Sequence, residues 1–389
     1  MTRLSICIPT RNRQAFAIDA VRHMLQSPRE DFEVIVADNS DDAAPLADFA
    51  QANTDSRFRL IAPAAQPLST GGNWSRLIPA SRGEWITVIA DDDYLDPELS
   101  EVIRLAESVV PKVDAISWGR TPYTWPDARS EREISTIPTT SHLRTYKTQD
   151  MMKRLFFWDK ATDRPACPFG IYHGALKRDL IERIRDAFSG TYFEQGNVDY
   201  DNICKTVMLA EGFVYWERPL SVMGTCHASN AMGMRESKIG QERAAAGGNE
   251  PAEDFKAADF PFPTDLGLAA SIGHTIERFK QRYGIELTGW EDNFIQACAR
   301  DVETSTDRAE FSLRKKTYSK AIAAWRGSKA AKTFQPHYKW QPGMARFIGA
   351  ADDMLYFDMD MGNTRSAGEF YRMVDAMLFP VELLESRLN

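Results

Sequence analysis

Between Leu4 and Ala90, short β-like runs alternate with helix-spaced apolar residues, and that alternation commits the chain to a parallel sheet covered by helices. Leu4 to Ile8 is rich in β-formers and Pro9 closes the run. From Gln14 to Gln26, Phe16, Ala20, Val21, Met24 and Leu25 then fall at helical spacing. Phe32 to Ala37 repeats the β pattern and stops at Asp38-Asn39-Ser40-Asp41-Asp42. A third run, Phe58 to Ile61, leads into a loop with Pro63, Pro67, Gly71 and Gly72, and a helix is expected from about Asn73. Trp85 to Ala90 is the most apolar run and ends abruptly in Asp91-Asp92-Asp93. In open sheets of this kind ligands sit beyond the carboxyl ends of the strands, so these polar and acidic strand ends mark the edge to search.

Further along, a strand is expected from Val113 to Trp118, then an irregular excursion over Pro122 to Pro138. Asp199 to Leu209 reads as a helix, with β-like runs at Phe213 to Trp216 and Leu220 to Met223. After about Ala231 the chain turns to Gly, Glu, Lys and Ala up to Pro251, the composition of a mobile loop or linker. Helical patterns follow at Leu266 to Tyr283, Trp290 to Thr304, Asp307 to Trp325 and Ala367 to Leu388. The expected organisation is an α/β domain over 1–232, a linker over 233–263 and a helical C-terminal extension over 264–389.

With 389 residues and 43% hydrophobic content the chain can bury a full core. Its 55 acidic against 47 basic side chains give no general attraction for nucleic acid. Cys7, Cys167, Cys204, Cys226 and Cys298 lack CxxC spacing, which argues against a zinc cluster or disulfide framework and for a reducing compartment. No uncharged apolar stretch reaches membrane-spanning length. A cytoplasmic protein is expected, peripheral at the inner face of the membrane if it meets one. The segment 313–340 suits such contact: eight basic residues from Arg314 to Lys339 interleave with Trp325, Phe334, Tyr338 and Trp340 and no acid intervenes. A solvated helix face accounts for the same charges. Oligomeric state is left open, and an oligomer is allowed.

Three carboxylates in one tight turn repel each other unless a cation or hydrogen-bond donors offset them. Mg²⁺ and similar hard ions are held by one or two carboxylates plus substrate phosphates, so Asp91, Asp92 and Asp93 form a candidate metal-diphosphate site; capping of the next helix is the alternative. Asp38, an acceptor at a strand end, suits an N–H of a pyrimidine base, and an Asx-turn explains it equally. A second acidic cluster, Asn197-Val198-Asp199-Tyr200-Asp201-Asn202, opens the helix at Asp199, where capping is again the plain reading.

The segments Ile6-Cys7-Ile8-Pro9-Thr10-Arg11-Asn12-Arg13, Val34 to Ser40, and Ile89-Ala90-Asp91-Asp92-Asp93-Tyr94-Leu95-Asp96-Pro97 resemble, in order and spacing, the GT-A family 2 of inverting glycosyltransferases. The resemblance covers about residues 3 to 230. It implies a Rossmann-like, mainly parallel nucleotide-diphospho-sugar transferase fold and transfer from a nucleotide-diphosphate sugar, a UDP-sugar foremost, to a hydroxyl on a glycan or lipid-linked saccharide. By the same resemblance, Pro9, Thr10 and Arg13 pack on base and ribose, Asp38 reads the base, and Gly72 and Asn73 line the donor. Asp91 and Asp92 belong to the donor and Asp93 is the ligand of Mn²⁺ or Mg²⁺, with His227 as a second candidate ligand. Asp199 matches the general base, with Val198 where relatives carry Glu. Trp158, His173 and Asp201 fall on the acceptor side. Two other readings compete: a sugar-nucleotide pyrophosphorylase, disfavoured because Pro9 to Arg13 is not its Gly-rich loop, and a non-catalytic sugar-nucleotide-binding or assembly protein.

Overall fold

The computed structural model describes residues 2–129, 132–194, 197–229, 259–338, 347–381 and 383. Its first half runs β1 (Leu4–Thr10), α1 (Gln14–Met24), β2 (Phe32–Asp38), α2 (Ala44–Ala52), β3 (Phe58–Ile61), α3 (Thr70–Ala80), β4 (Trp85–Val88), β5 (Tyr94–Leu95), α4 (Leu99–Val109) and β6 (Ala115–Thr124). Then come β7 (Ile134–Pro138), β8 (Leu143–Tyr146), α5 (Thr148–Phe156), β9 (Gly174–Lys177), α6 (Arg178–Ala187), α7 (Val198–Leu209) and β10 (Phe213–Thr225). The C-terminal part holds α8 (Leu268–Arg282), α9 (Glu291–Glu303), α10 (Arg308–Ala331), β11 (Gly349–Ala351), β12 (Met354–Asp358) and α11 (Ala367–Asp375).

The main sheet is ordered β3-β2-β1-β4-β9-β6-β10-β5, with β8 also on β10. Strands β3, β2, β1 and β4 are mutually parallel, as is the long β6–β10 pair, while β9, β5 and β8 run against their neighbours. The expected α/β, mainly parallel architecture is what the chain forms. Strand alternation explains why: Cys7, Ile35, Ala37, Ile86 and Val88 point into a core under α3 and α5 to α10. Leu4, Ile6, Ile8, Val34, Val36 and Trp85 point into the opposite core, under α1, α4 and α11. Both faces are covered, so the strands read as continuous apolar runs.

Several boundaries differ from expectation. Pro9 does not end β1, which pairs with β2 through Thr10↔Asp38. The register with β4 stops at Cys7↔Val88, so Pro9 lies where its missing N–H faces no second strand. Helix α3 starts at Thr70 rather than Asn73, because the Ser69 hydroxyl caps it by accepting from Gly72 N at 3.1 Å. The expected irregular excursion over Pro122 to Pro138 instead carries the end of β6 and all of β7. Strand β7 pairs with β12, and β12 with β11, in a second, three-stranded sheet. The C-terminal extension is therefore helical in α8 to α10 but returns as strands before α11. The last helical pattern, Ala367 to Leu388, is helix only to Asp375; 384–389, the linker over 233–258 and Lys339 and Trp340 lie outside the described residues.

The C-terminal part is built into both cores. Arg218, at an irregularity of β10, is 2% exposed and binds Asp375 at 2.6 Å and the Tyr371 hydroxyl at 3.1 Å. Tyr371 in turn donates to Asp96 at 2.9 Å, so α11 braces the chain just past the acidic turn. No helix among the described residues is long and apolar enough to cross a membrane.

Candidate active site

The carboxyl ends of β1, β2 and β4 converge as the topology requires, and the acidic turn lies against the start of α1. Thr10 Oγ1 donates to Asp91 Oδ2 at 2.7 Å and Arg13 Nε donates to the same oxygen at 3.1 Å. Arg13 Nη2 forms an ion pair with Asp91 Oδ1 at 2.5 Å, and Nη1 reaches Asp92 Oδ2 at 3.4 Å. One guanidinium thus spans two buried carboxylates. Burial, and then the charge of Asp92, push the Asp91 carboxyl up to about 7 against the lowering by Arg13. Burial likewise raises Asp92.

Asp93 is held differently. Its Oδ2 accepts from Ala90 N at 2.8 Å, Tyr172 Oη at 3.0 Å and His173 Nε2 at 2.8 Å, and its Oδ1 from Gly224 N at 2.8 Å. With Nε2 donating, His173 Nδ1 accepts from Ser221 Oγ at 2.9 Å, and Ser221 accepts from Trp118 Nε1 at 2.9 Å. A relay of buried hydrogen bonds from Trp118 to Asp93 results. Gly224 is required by close approach: a Cβ there would sit 1.7 Å from the Asp92 carbonyl oxygen. Strand β10 therefore presses directly on the back of the turn and pins it.

These bonds bear on several expected roles. Asp93 has both oxygens on protein donors, as Asp91 has through Thr10 and Arg13, and all three aspartates are buried. His173 is fully buried and serves Asp93, so it is no acceptor contact. Trp158 is 1% exposed and packs edge-on against Phe294, its face covered by α9. Asp201 is 4% exposed, pairs with Lys205 at 2.8 Å and accepts from Glu194 N, so it too is structural rather than acceptor-facing. His227 is exposed; its main-chain N donates to Asp127, and among the described residues no three His, Cys, Asp or Glu side chains are grouped to hold a metal by themselves.

The residues expected on the donor side lie together at the ends of β1 and β2 and the start of α3. Asp38 is fully buried; Oδ1 takes Ser40 N in an Asx-turn at 2.9 Å, while Oδ2 has no hydrogen-bond partner. Asn73 donates to the Ala37 carbonyl at 3.1 Å, tying α3 to the end of β2, and Gly72 lies in the same helical turn. Pro9 and Thr10 close β1 beside them.

Asp199 is the second residue of α7 and half-buried. Burial raises its carboxyl above the ordinary value, opposed by main-chain amides at the helix start and by Arg120 and Arg164. Tyr172 links the two acidic groups: its hydroxyl donates to Asp93, and it feels the charges of Asp92 and Asp199. Helix α7 is fixed by buried ions, Lys205 with Asp201 and Glu194, and Glu194 with Arg282 of α8 at 2.9 Å. Sequence reasoning missed Tyr172, Ser221, Gly224 and Arg120. Only Arg120 carried a legible signal, a lone charge inside the apolar run that became β6.

Residues 5–183 match the model of the family described as Glycosyl transferase family 2. A curated relative, the GalNAc(5)-diNAcBac-PP-undecaprenol beta-1,3-glucosyltransferase of Campylobacter jejuni, is 30% identical over 97 residues. That match covers 24% of this chain and spans 31% of the relative's length. Among solved structures, S. aureus TarS 1-349 in complex with UDP-GlcNAc aligns at 11% identity and a TM-score of 0.46, over 86% of this chain and 89% of that one. The mannosyltransferase PcManGT of Pyrobaculum calidifontis, with GDP-Man and Mn2+, aligns at 15% and 0.38, over 85% and 84%. The fold assignment rests on the strand order and the family match.

Proposed function

Because the chain belongs to glycosyl transferase family 2, we propose that it moves a sugar from a nucleotide-diphosphate donor, a UDP-sugar foremost, to an acceptor hydroxyl with inversion. The observation that carries this reading is the meeting of the acidic turn with the ends of β1 and β2. Asp91 and Asp92 share Arg13, Asp91 also accepts from Thr10, and Thr10 pairs in register with Asp38, whose Oδ2 has no hydrogen-bond partner. A buried carboxylate oxygen without a donor, at the carboxyl end of a parallel strand, suits a base N–H.

The donor set fits a shared divalent ion. Asp91 Oδ1 is buried and met only by the Arg13 guanidinium, at 2.5 Å, and two carboxylates plus diphosphate oxygens are the ligands Mn²⁺ or Mg²⁺ prefers. Asp91 and Asp92 would hold it, and when bound it offsets the charge that builds on the leaving diphosphate. Arg13 neutralises the same pair in the free protein. Asp199 takes the proton of the attacking acceptor hydroxyl at its carboxylate. Its burial raises its basicity, which counters the acidifying start of α7. Tyr172 holds the turn through Asp93 and lies within electrostatic reach of Asp199.

The catalytic domain of this reading is 1–232, and 264–389 braces it through α8 and α11. The acceptor is a glycan or a lipid-linked saccharide, the class of substrate in the curated relative's own name. Exposed Leu313, Lys316 and Lys320 at helical spacing on α10 give that reading a surface for anionic lipid. The test is transfer itself: with Mn²⁺ and UDP-sugars, wild type releases UDP and Asp199→Asn does not. UDP release that persists in the Asn variant would remove Asp199 from the chemistry. No Mn²⁺-stimulated release with any nucleotide sugar would favour a binding or assembly protein instead.

A further inference from the structure

Arginines set into this fold hold carboxylates or main-chain carbonyls. Arg13, Arg218 and Arg314 each lie within 2.5 to 2.8 Å of an Asp oxygen, and Arg178 donates to the Gly83 carbonyl at 2.7 Å. Arg120 has neither. It is half-buried on β6, and among the described residues its only side-chain hydrogen bond is from Nη1 to the Met223 sulfur at 3.9 Å and no carboxylate lies within ion-pairing distance of it. In the parallel register it pairs with Ser221, so both side chains leave the same face of the sheet, the face on which His173 and Asp93 meet. A thioether is a weak acceptor, and a guanidinium carries five N–H donors. Most of that fork is idle.

The groups that surround Arg120 electrostatically are Tyr172, Tyr215 and Tyr200, then Asp93, and Arg120 acts in turn on Asp199. These lie on the base side of the cleft, whereas the donor-side carboxylates already have Arg13. A half-buried guanidinium without a carboxylate partner, within electrostatic reach of three phenols and of Asp199, suits a planar or tetrahedral oxyanion held by two N–H groups. We propose that Arg120 is an anion-binding residue of the acceptor subsite, and that the acceptor bears a carboxylate or phosphate near the hydroxyl that reacts. The placement on the acceptor side rests on the reading of Asp199 as the base. The idle guanidinium itself does not.

The test is calorimetric titration of the full chain, saturated with UDP and Mn²⁺, with glucuronate, glucose 1-phosphate and glucose. Wild type is expected to bind the two anions at least about tenfold more tightly than glucose, as a charged hydrogen-bond pair implies. Arg120→Met should abolish that preference and leave UDP affinity and melting temperature unchanged, with Arg120→Lys between the two. Should the Met variant fail to fold, Arg120→Gln serves, and the wild-type preference is decisive by itself. Equal binding of all three sugars by wild type would overturn the proposal. So would a Met variant that loses UDP affinity while keeping the anion preference, because Arg120 would then serve the donor diphosphate. If wild type binds no UDP the transferase reading fails separately, and the same titration without nucleotide still decides whether Arg120 binds anions.

Discussion

Replacing Asp93 by alanine removes one carboxylate and strands four donors: the Ala90 and Gly224 amides, the Tyr172 hydroxyl and the His173 ring. Hydrogen bonds to a charged acceptor are worth about 1.5–3 kcal/mol each, but bonds to a shared acceptor do not add, so a loss of about 4 kcal/mol is expected. For a chain of this size that corresponds to a fall in melting temperature of roughly 5 °C. Asp93→Asn keeps the shape and part of the accepting capacity, so about half that loss is expected. Thermal and urea unfolding of the two variants and wild type, without nucleotide or metal, measure it. An alanine variant that melts within about 1 °C of wild type while losing Mn²⁺-dependent nucleotide binding would refute the reasoning, and would make Asp93 a metal ligand rather than an anchor.

Asp199→Asn should lower transfer by about 100-fold or more with melting temperature and UDP affinity intact, since general-base loss costs that order; a parallel loss of UDP affinity would contradict the role. Because burial raises the Asp199 carboxyl and the base must be ionised, transfer should fall as pH drops through a midpoint above the ordinary 3.8, and a midpoint below it would argue against a buried base. Lys205→Met leaves Asp201 and Glu194 as buried carboxylates without their cation, so about 3–5 kcal/mol of stability should be lost in urea unfolding. A neutral effect would mean that water reaches that cluster.

How much of this was legible before the structure follows from how local each signal is. Strands β1 to β4 and the acid-rich ends of β2 and β4 were readable because apolar runs broken by polar turns need no partner to be recognised. Strand β7 was not, since Ile134–Pro138 follows a charged, Pro-rich stretch and is a strand only because β12, more than two hundred positions later, supplies its ladder. The acidic turn was located, but not what each of its carboxylates bonds. Which of three adjacent aspartates faces the cleft depends on where Gly224, His173 and Tyr172 arrive, and those come from β10 and the segment before β9. The burial of Trp158 and Asp201 was not legible for a related reason: Trp158 is met by Phe294 of α9 from the C-terminal part, and Asp201 by Lys205 one turn along its own helix.

The central claim is that Asp91 and Asp92, and not Asp93, are the carboxylates that share a divalent ion with a nucleotide diphosphate. Calorimetric titration of UDP into wild type and Asp92→Asn, with Mn²⁺ and with EDTA, tests it most directly. Wild type should bind UDP at least about tenfold more tightly with Mn²⁺ than with EDTA, and the variant should show the EDTA affinity under both conditions. Identical UDP affinity in all four titrations would contradict the claim.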